Sequence, residues 1–377
     1  MATLLLNSLE IHRFRAFQYL SIEQLGRVNL IVGKNNVGKS CLLEALQLYA
    51  SRAHLPSIWQ ILGAHDEDTR STRSSLGSPD YNFEEVLPIV KYLFHGRQDI
   101  TGSVEPIEIG PINSPEEKLL ISVAFYASKA DEEGRRILQL LQPASLEEYV
   151  AAENAIPRFL IQLGKSREVN YPLDFRSSTS RLLRSDLKEV NCILTAANGL
   201  NKRKIGELWD KIALTDLEEE VLTALRIIAP GLQAISIVGD PNSNRERITI
   251  VKVADIDEPL PIRSLGDGMQ RLLGIALALV NAKDGLLLID EIENGLHYSI
   301  QADLWRLIFQ IARKLNVQVF ATSHSWDCVA SFQQAAQDDK LEEGMLIRLE
   351  SKKGKVNATL FNEQKLAIAT REQIEVR

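Results

Sequence analysis

The stretch "IVGKNNVGKSCLLEAL", residues 31–46, constrains the fold more than any other part of the chain. It fits the pattern G-x-x-x-x-G-K-[ST], in which an apolar strand must deliver the chain to a glycine-bounded turn and a helix must leave from it. Gly33 and Gly38 permit backbone angles that aim successive N–H groups inward, and the helix N-terminus adds its partial positive charge. A run of phosphates is the ligand such a turn is built to hold. Gly33, Lys34, Asn35, Asn36, Val37, Gly38, Lys39, Ser40 and Cys41 are therefore the expected binding stretch, with Lys39 bridging the β- and γ-phosphates and Ser40 ligating Mg²⁺. Leu42, Leu46 and Tyr49 are expected on one buried face of the helix that follows.

Two further strand ends carry chemistry. In "GLLLIDEIENG" four apolar residues deliver Asp290 and Glu291 to the end of a strand, where alternation of side chains gives the two acids different tasks. Asp290 is expected to hold Mg²⁺, directly or through its water, and Glu291 to polarise the water that attacks the γ-phosphate. In "VFATSHSWD" a later strand presents His324, which the order of motifs marks as a γ-phosphate sensor. His324 and Cys328 also stand at metal-ligand spacing, but no further ligand cluster accompanies them.

The 377 residues are 45% hydrophobic and 25% charged, ordinary globular usage, with a formal charge of −7 that argues against a surface wholly devoted to nucleic acid. Three cysteines without CxxC spacing suit reduced thiols in a cytoplasm. The longest apolar run, Leu272 to Val280, is nine residues, so neither a membrane span nor a leader peptide is expected.

Along the chain, "LEIHRFRAF", "RVNLIV", "VEPIEIGPI" and "LLISVAFY" read as strands. "TRSTRSSLGSPD", residues 69–80, reads as a mobile loop. Residues 131–230 change character, and "DEEGRRILQLLQPASLEEYVAA" and "IGELWDKIALTDLEEEVLTALRIIA" show helical periodicity. A mostly helical insert is therefore expected between two parts of one discontinuous head, 1–130 and 231–377. Strands return in "LQAISIVGD" and "RERITIVKVAD", and a helix is expected from about Ser299 to Leu315. The expected fold is α/β, a P-loop NTPase with a mainly parallel sheet and flanking antiparallel strands.

A fourth stretch, "SLGDGMQR", precedes a helix about twenty residues before Asp290. Its Ser264, Gly266, Asp267 and Gly268 resemble the signature motif of ABC-type ATPases, with the usual serine-glycine-glycine-glutamine core replaced. Together with "FRAF", "VNLIVGKNNVGKSCLLEAL", "LLLIDEIENGLH" and "ATSHSWD" it resembles the ATPase domain of the OLD (overcoming lysogenization defect) family, within the RecF- and SMC-like ABC ATPases.

The resemblance implies ATP and Mg²⁺ as cofactors, ATP hydrolysis, and an ATP-sandwich homodimer or higher oligomer in which Ser264 to Gly268 act in trans. It covers the start and last third of the chain and leaves the insert unmatched. Related ATPases place groups of the first strand against the nucleotide, so Arg15 is expected near phosphate and Phe17 near adenine, beside a plain strand reading. The glutamine that joins Mg²⁺ to the arm falls on Gln60 or Gln98.

Residues 325–377 are too few for an appended TOPRIM nuclease, so the resemblance implies a stand-alone ATPase in the cytoplasm that regulates a separate effector, such as a TOPRIM-type nuclease in anti-phage defence. The competing readings are a RecF-like repair ATPase that clamps DNA itself and the nucleotide-binding subunit of a transporter. "NKRK" (201–204) and "RLLR" (181–184) could meet a DNA backbone or be solvated helix faces.

Overall fold

The structure is a computed structural model that describes residues 4–65, 67, 86–100, 104–130, 135–141, 155–173, 187–240, 247–339 and 343–372. β3 (Val28–Val32) ends at the glycine turn and α1 (Lys39–Ala50) leaves from it. All five residues of β3 are buried, as a strand covered on both faces requires. It lies inside a six-stranded sheet of order β16 (Lys355–Asn362), β15 (Gly344–Lys352), β3, β14 (Gln318–Thr322), β13 (Leu286–Ile289) and β9 (Cys192–Thr195). Every neighbouring pair is parallel except the β15–β16 hairpin. Parallel strands place their carboxyl ends on one side. The pairing of Ile289 with Ala321 and of Thr322 with Ile31 brings the ends of β13, β14 and β3 level.

A second sheet is antiparallel throughout. Its order is β2 (Phe17–Ile22), β1 (Leu9–Phe14), β4 (Ile107–Gly110), β5 (Leu119–Ala130), β7 (Ala155–Leu163) and β8 (Val169–Pro172), with β6 (Arg136–Leu140) on the far end of β5. α1 and α2 (Leu55–Ala64) fill the space between the two sheets, with the short α3 (Leu87–Val90) beside them.

The other face of the parallel sheet carries α4 (Lys202–Asp210), α5 (Asp216–Leu225), α6 (Asp267–Asn281), α7 (Tyr298–Lys314) and α8 (Trp326–Asp339), with α9 (Glu363–Arg371) packed at their edge. A small antiparallel sheet of β10 (Leu232–Gly239), β11 (Arg247–Val253) and β12 (Leu260–Pro261) closes that side. Strand alternation divides the core in two. Leu286 and Leu288 face the α1 side, whereas Leu287 and Ile289 face the α6 side. This is the P-loop NTPase fold, α/β with sheets of mixed orientation.

The helical reading of 131–230 is corrected over its first described half. Residues 136–140, 155–163 and 169–172 are strands of the antiparallel sheet, and Cys192–Thr195 is the edge strand of the parallel one. Apolar residues at short intervals, as in "RILQLL", satisfy helix and strand periods equally, and pairing with β5 decides. Helix holds from Lys202 to Leu225. The loop expected at 69–80 and the run "RLLR" lie outside the described residues.

Candidate nucleotide site

The two glycines of the turn are required by close packing as well as by angle. Gly33 has φ 146°, and a Cβ there would stand 2.5 Å from the carbonyl oxygen of Leu349 on β15. Gly38 has φ 104°, and a Cβ there would stand 3.0 Å from the ring of Phe17. Asn36 takes a left-handed φ of 62°, which asparagine tolerates better than most side chains. Lys39 is buried, and its Nζ donates to the carbonyls of Gly33 at 2.8 Å and Lys34 at 3.2 Å. Burial pushes its amine below the ordinary lysine value, while the charges of Asp290, Glu291 and Glu293 push it back.

Across the turn, the Ser40 hydroxyl donates to Asp290 with its Oγ 3.1 Å from Oδ2. Thr322, fully buried at the end of β14, donates to Asp290 Oδ1 at 2.6 Å and accepts the Glu291 N–H at 2.8 Å. Glu291 has φ 48°, an uncommon angle for a residue with a Cβ and one that recurs where function over-determines the backbone. Its Oε1 lies 3.1 Å from Nε2 of His324, and its Oε2 accepts from Asn294 at 2.5 Å. The backbone N–H of His324 donates to Glu293 at 3.0 Å. The side chains of His324 and Glu291 remain 40% and 32% exposed, open to a ligand.

Asn35, Asn36, Gly38, Lys39, Ser40, Cys41, His65, Asp290, Glu291 and His324 thus line one open cleft of about 400 Å³. That volume lies in the range of small-molecule sites, about 300–1,000 Å³. Ser40 and Asp290 supply hard oxygen donors beside the phosphate cradle, which fits a Mg²⁺ that keeps water and phosphate as its remaining ligands.

Ser264, Gly266 and Asp267 are exposed just before and at the start of α6, and neither they nor Gly268 line the cleft of their own chain. The same stretch also contains Arg271, to which the motif reading gave no role. Its buried guanidinium donates to the carbonyls of Ala196 at 2.7 Å and of Asp290 and Glu291 at 2.9 Å each. It therefore ties α6 to the backbone of the two acids.

Three expectations are corrected. Arg15 lies not against the cleft but in the buried turn between β1 and β2, ion-paired with Glu44 at 3.0 Å and Glu67 at 2.8 Å. Phe17 is fully buried beneath Gly38 and offers no face to a base. Gln60 is exposed on α2, accepting from Gln47, and neither Gln60 nor Gln98 lines the cleft. His65 and Thr322 were missed because no local pattern marks them; tertiary packing brings them in. "NKRK" opens α4, where Arg203 and Lys204 pair with Glu207.

The fold and the cleft define an ATP-hydrolysing P-loop enzyme. The chain belongs to the family described as "AAA domain, putative AbiEii toxin, Type IV TA system", whose model matches residues 28–327. It is 26% identical over 348 residues to an "ATP/GTP phosphatase" of Helicobacter pylori, covering 89% of each chain. Over 47 residues it is 45% identical to protein MJECL10 of Methanocaldococcus jannaschii, covering 12% of this chain and 22% of that one. Among solved structures it is similar to the SMC head bound to the C-winged helix domain of ScpA, at 13% identity and TM-score 0.48, covering 96% of this chain and 99% of that chain. A second is the SMC head domain from Thermotoga maritima, at 12% identity and TM-score 0.43, covering 94% and 98%. Among the described residues, no helix is long and apolar enough to cross a membrane.

Proposed function

We propose that the chain is an ATP-driven switch of the OLD-like kind, which closes as a dimer around ATP and regulates a separate effector, a nuclease acting in defence against phage. The observation that carries the catalytic part is the convergence of Lys39, Ser40, Asp290, Glu291 and His324 on one cleft. The turn from Gly33 to Cys41 cradles the phosphates, and Lys39 leaves the loop carbonyls to meet the β- and γ-phosphates. Ser40 and Asp290 hold Mg²⁺, which when bound neutralises charge on those phosphates. Glu291 accepts the proton of the attacking water, and His324, 3.1 Å away, meets the γ-phosphate.

Exposure of Ser264 and Asp267 outside their own chain's cleft supports their completing the site of a second copy. The relation to a phosphatase of ATP and GTP supports nucleotide hydrolysis as the chemistry.

Lys39→Ala is expected to abolish ATP binding, because it removes the cation that meets the β- and γ-phosphates. Glu291→Gln is expected to keep binding and lose turnover. Near wild-type phosphate release by Glu291→Gln would show that the base is another group. The effector part is tested by co-purification with the product of an adjacent gene, in which a membrane permease in place of an effector would overturn it.

A further inference from the structure

His65 caps the carboxyl end of α2, and its ring lines the same cleft as Asn35, Gly38, Ser40 and Asp290. Its Nε2 hydrogen-bonds Oε1 of Glu44. Glu44 stands four residues beyond Ser40 on α1, hence on the same helix face. The other oxygen of Glu44 lies 3.0 Å from Nε of Arg15, a charge contact without hydrogen-bond alignment. Arg15 is held in turn by Glu67 at 2.8 Å and by the carbonyl of Ile61 at 3.4 Å.

Exposure falls steeply along this row. The side chains of Arg15 and Glu44 are 4% and 9% exposed, that of His65 38%, so the histidine is the member that can touch a ligand. Charge is unbalanced without it, since one guanidinium faces two carboxylates. A buried carboxylate left short of a partner is costly, and an imidazolium on Glu44 restores the balance.

We propose that His65 is a phosphate-binding residue of the cleft, its ring held at a fixed height by Glu44 and its Nδ1–H presented to the phosphate chain of the nucleotide. The proposal rests on the nucleotide reading of the cleft given above. Arg15 is then a positioning residue, acting through Glu44 and not by its own contact.

With Nε2 committed to Glu44, a neutral ring offers Nδ1 only as an acceptor, which repels phosphate oxygen, whereas the protonated ring offers a charged donor. The hydrogen bond to Glu44 raises the His65 value above that of ordinary histidine, against the burial that lowers it. Glu67 adds to the rise and Arg15 opposes it, while Lys39, Asp290, Glu291 and His324 are the other titratable groups that line the cleft with Cys41. The ring therefore stays charged to higher pH than an exposed one, and affinity should fall as pH rises through its raised value.

The test is equilibrium competition of a fluorescent ATP analogue by ATP, GTP and inorganic tripolyphosphate, at saturating Mg²⁺, from mildly acid to mildly alkaline pH. Wild type should weaken as pH rises, alike for all three competitors. His65→Gln should bind about tenfold more weakly at the acid end and lose the pH dependence, in keeping with a charged hydrogen bond. His65→Lys should restore affinity without that dependence, and Glu44→Gln should move the midpoint to lower pH. Because Glu44 is buried, circular dichroism accompanies that variant, and the His65 pair decides alone if it does not fold. Wild-type affinity and profile in His65→Gln would overturn the proposal, as would a pH dependence seen with ATP and absent with tripolyphosphate. Lys39→Ala separates the two levels: if it binds as wild type the nucleotide reading of the cleft fails, and if it loses binding while His65→Gln does not, only this proposal fails.

Discussion

Thr322 carries no charge, yet its hydroxyl holds two groups of the cleft, donating to Asp290 and accepting from the Glu291 N–H. Valine is nearly the same shape and does neither. Thr322→Val should leave the fold intact and raise the Mg²⁺ concentration needed for half-maximal phosphate release about 10- to 100-fold, as removal of a group that orients a metal ligand commonly does. An unchanged Mg²⁺ requirement would mean that Asp290 is oriented by other contacts. Lys39, Ser40, Asp290, Glu291 and His324 were legible in the sequence because each closes a strand or opens a helix with a recognisable residue type. Thr322, Arg271 and His65 were not, because their partners lie 32, 19 and 21 residues away and local patterns are blind to such pairs. Arg15 misled for the related reason that a strand-end arginine looks the same whether it meets a phosphate or, as here, Glu44 and Glu67.

At the scale of elements, β15 presses on the glycine turn hard enough to dictate its first residue. Gly33→Ala would set a methyl 2.5 Å from the Leu349 carbonyl and strain a φ of 146°. Such a change should cost about 1–3 kcal/mol and lower the thermal unfolding midpoint. Gly63→Ala in α2, where a Cβ meets nothing within 4 Å, should leave that midpoint unchanged or raise it. Equal effects of the two would show that the turn yields where the geometry says it does not. β3, β13 and β14 of the parallel sheet were legible as apolar runs ended by glycine, acid or histidine, and α7 as an apolar stripe with three- and four-residue steps. β6 to β9 were not. β6, β8 and β9 are short, β6 is solvent-facing at Ile137, Leu138 and Leu140, and the identity of the four comes from hydrogen bonds to β5, β7 and β13.

For the whole molecule, the proposed dimer predicts complementation. Chains bearing Lys39→Ala mixed with chains bearing Ser264→Arg should regain part of the activity that each lacks alone, because one intact composite cleft can form in the mixed pair. Null activity in a sample shown by mass to contain mixed pairs would count against the two-fold arrangement. The Arg271 tie then acquires a meaning beyond its own chain. The helix that would touch a second copy's nucleotide begins at Asp267, and one turn further on it grips the carbonyls behind Asp290 and Glu291. Pressure on α6 from outside would thereby reach this chain's own proposed hydrolytic acids, so the two clefts of a pair would fire in concert. Turnover should rise sigmoidally with ATP, with a Hill coefficient above one. Arg271→Lys, whose single ammonium cannot reproduce the fork of contacts, should flatten the curve towards independent sites while ATP still binds.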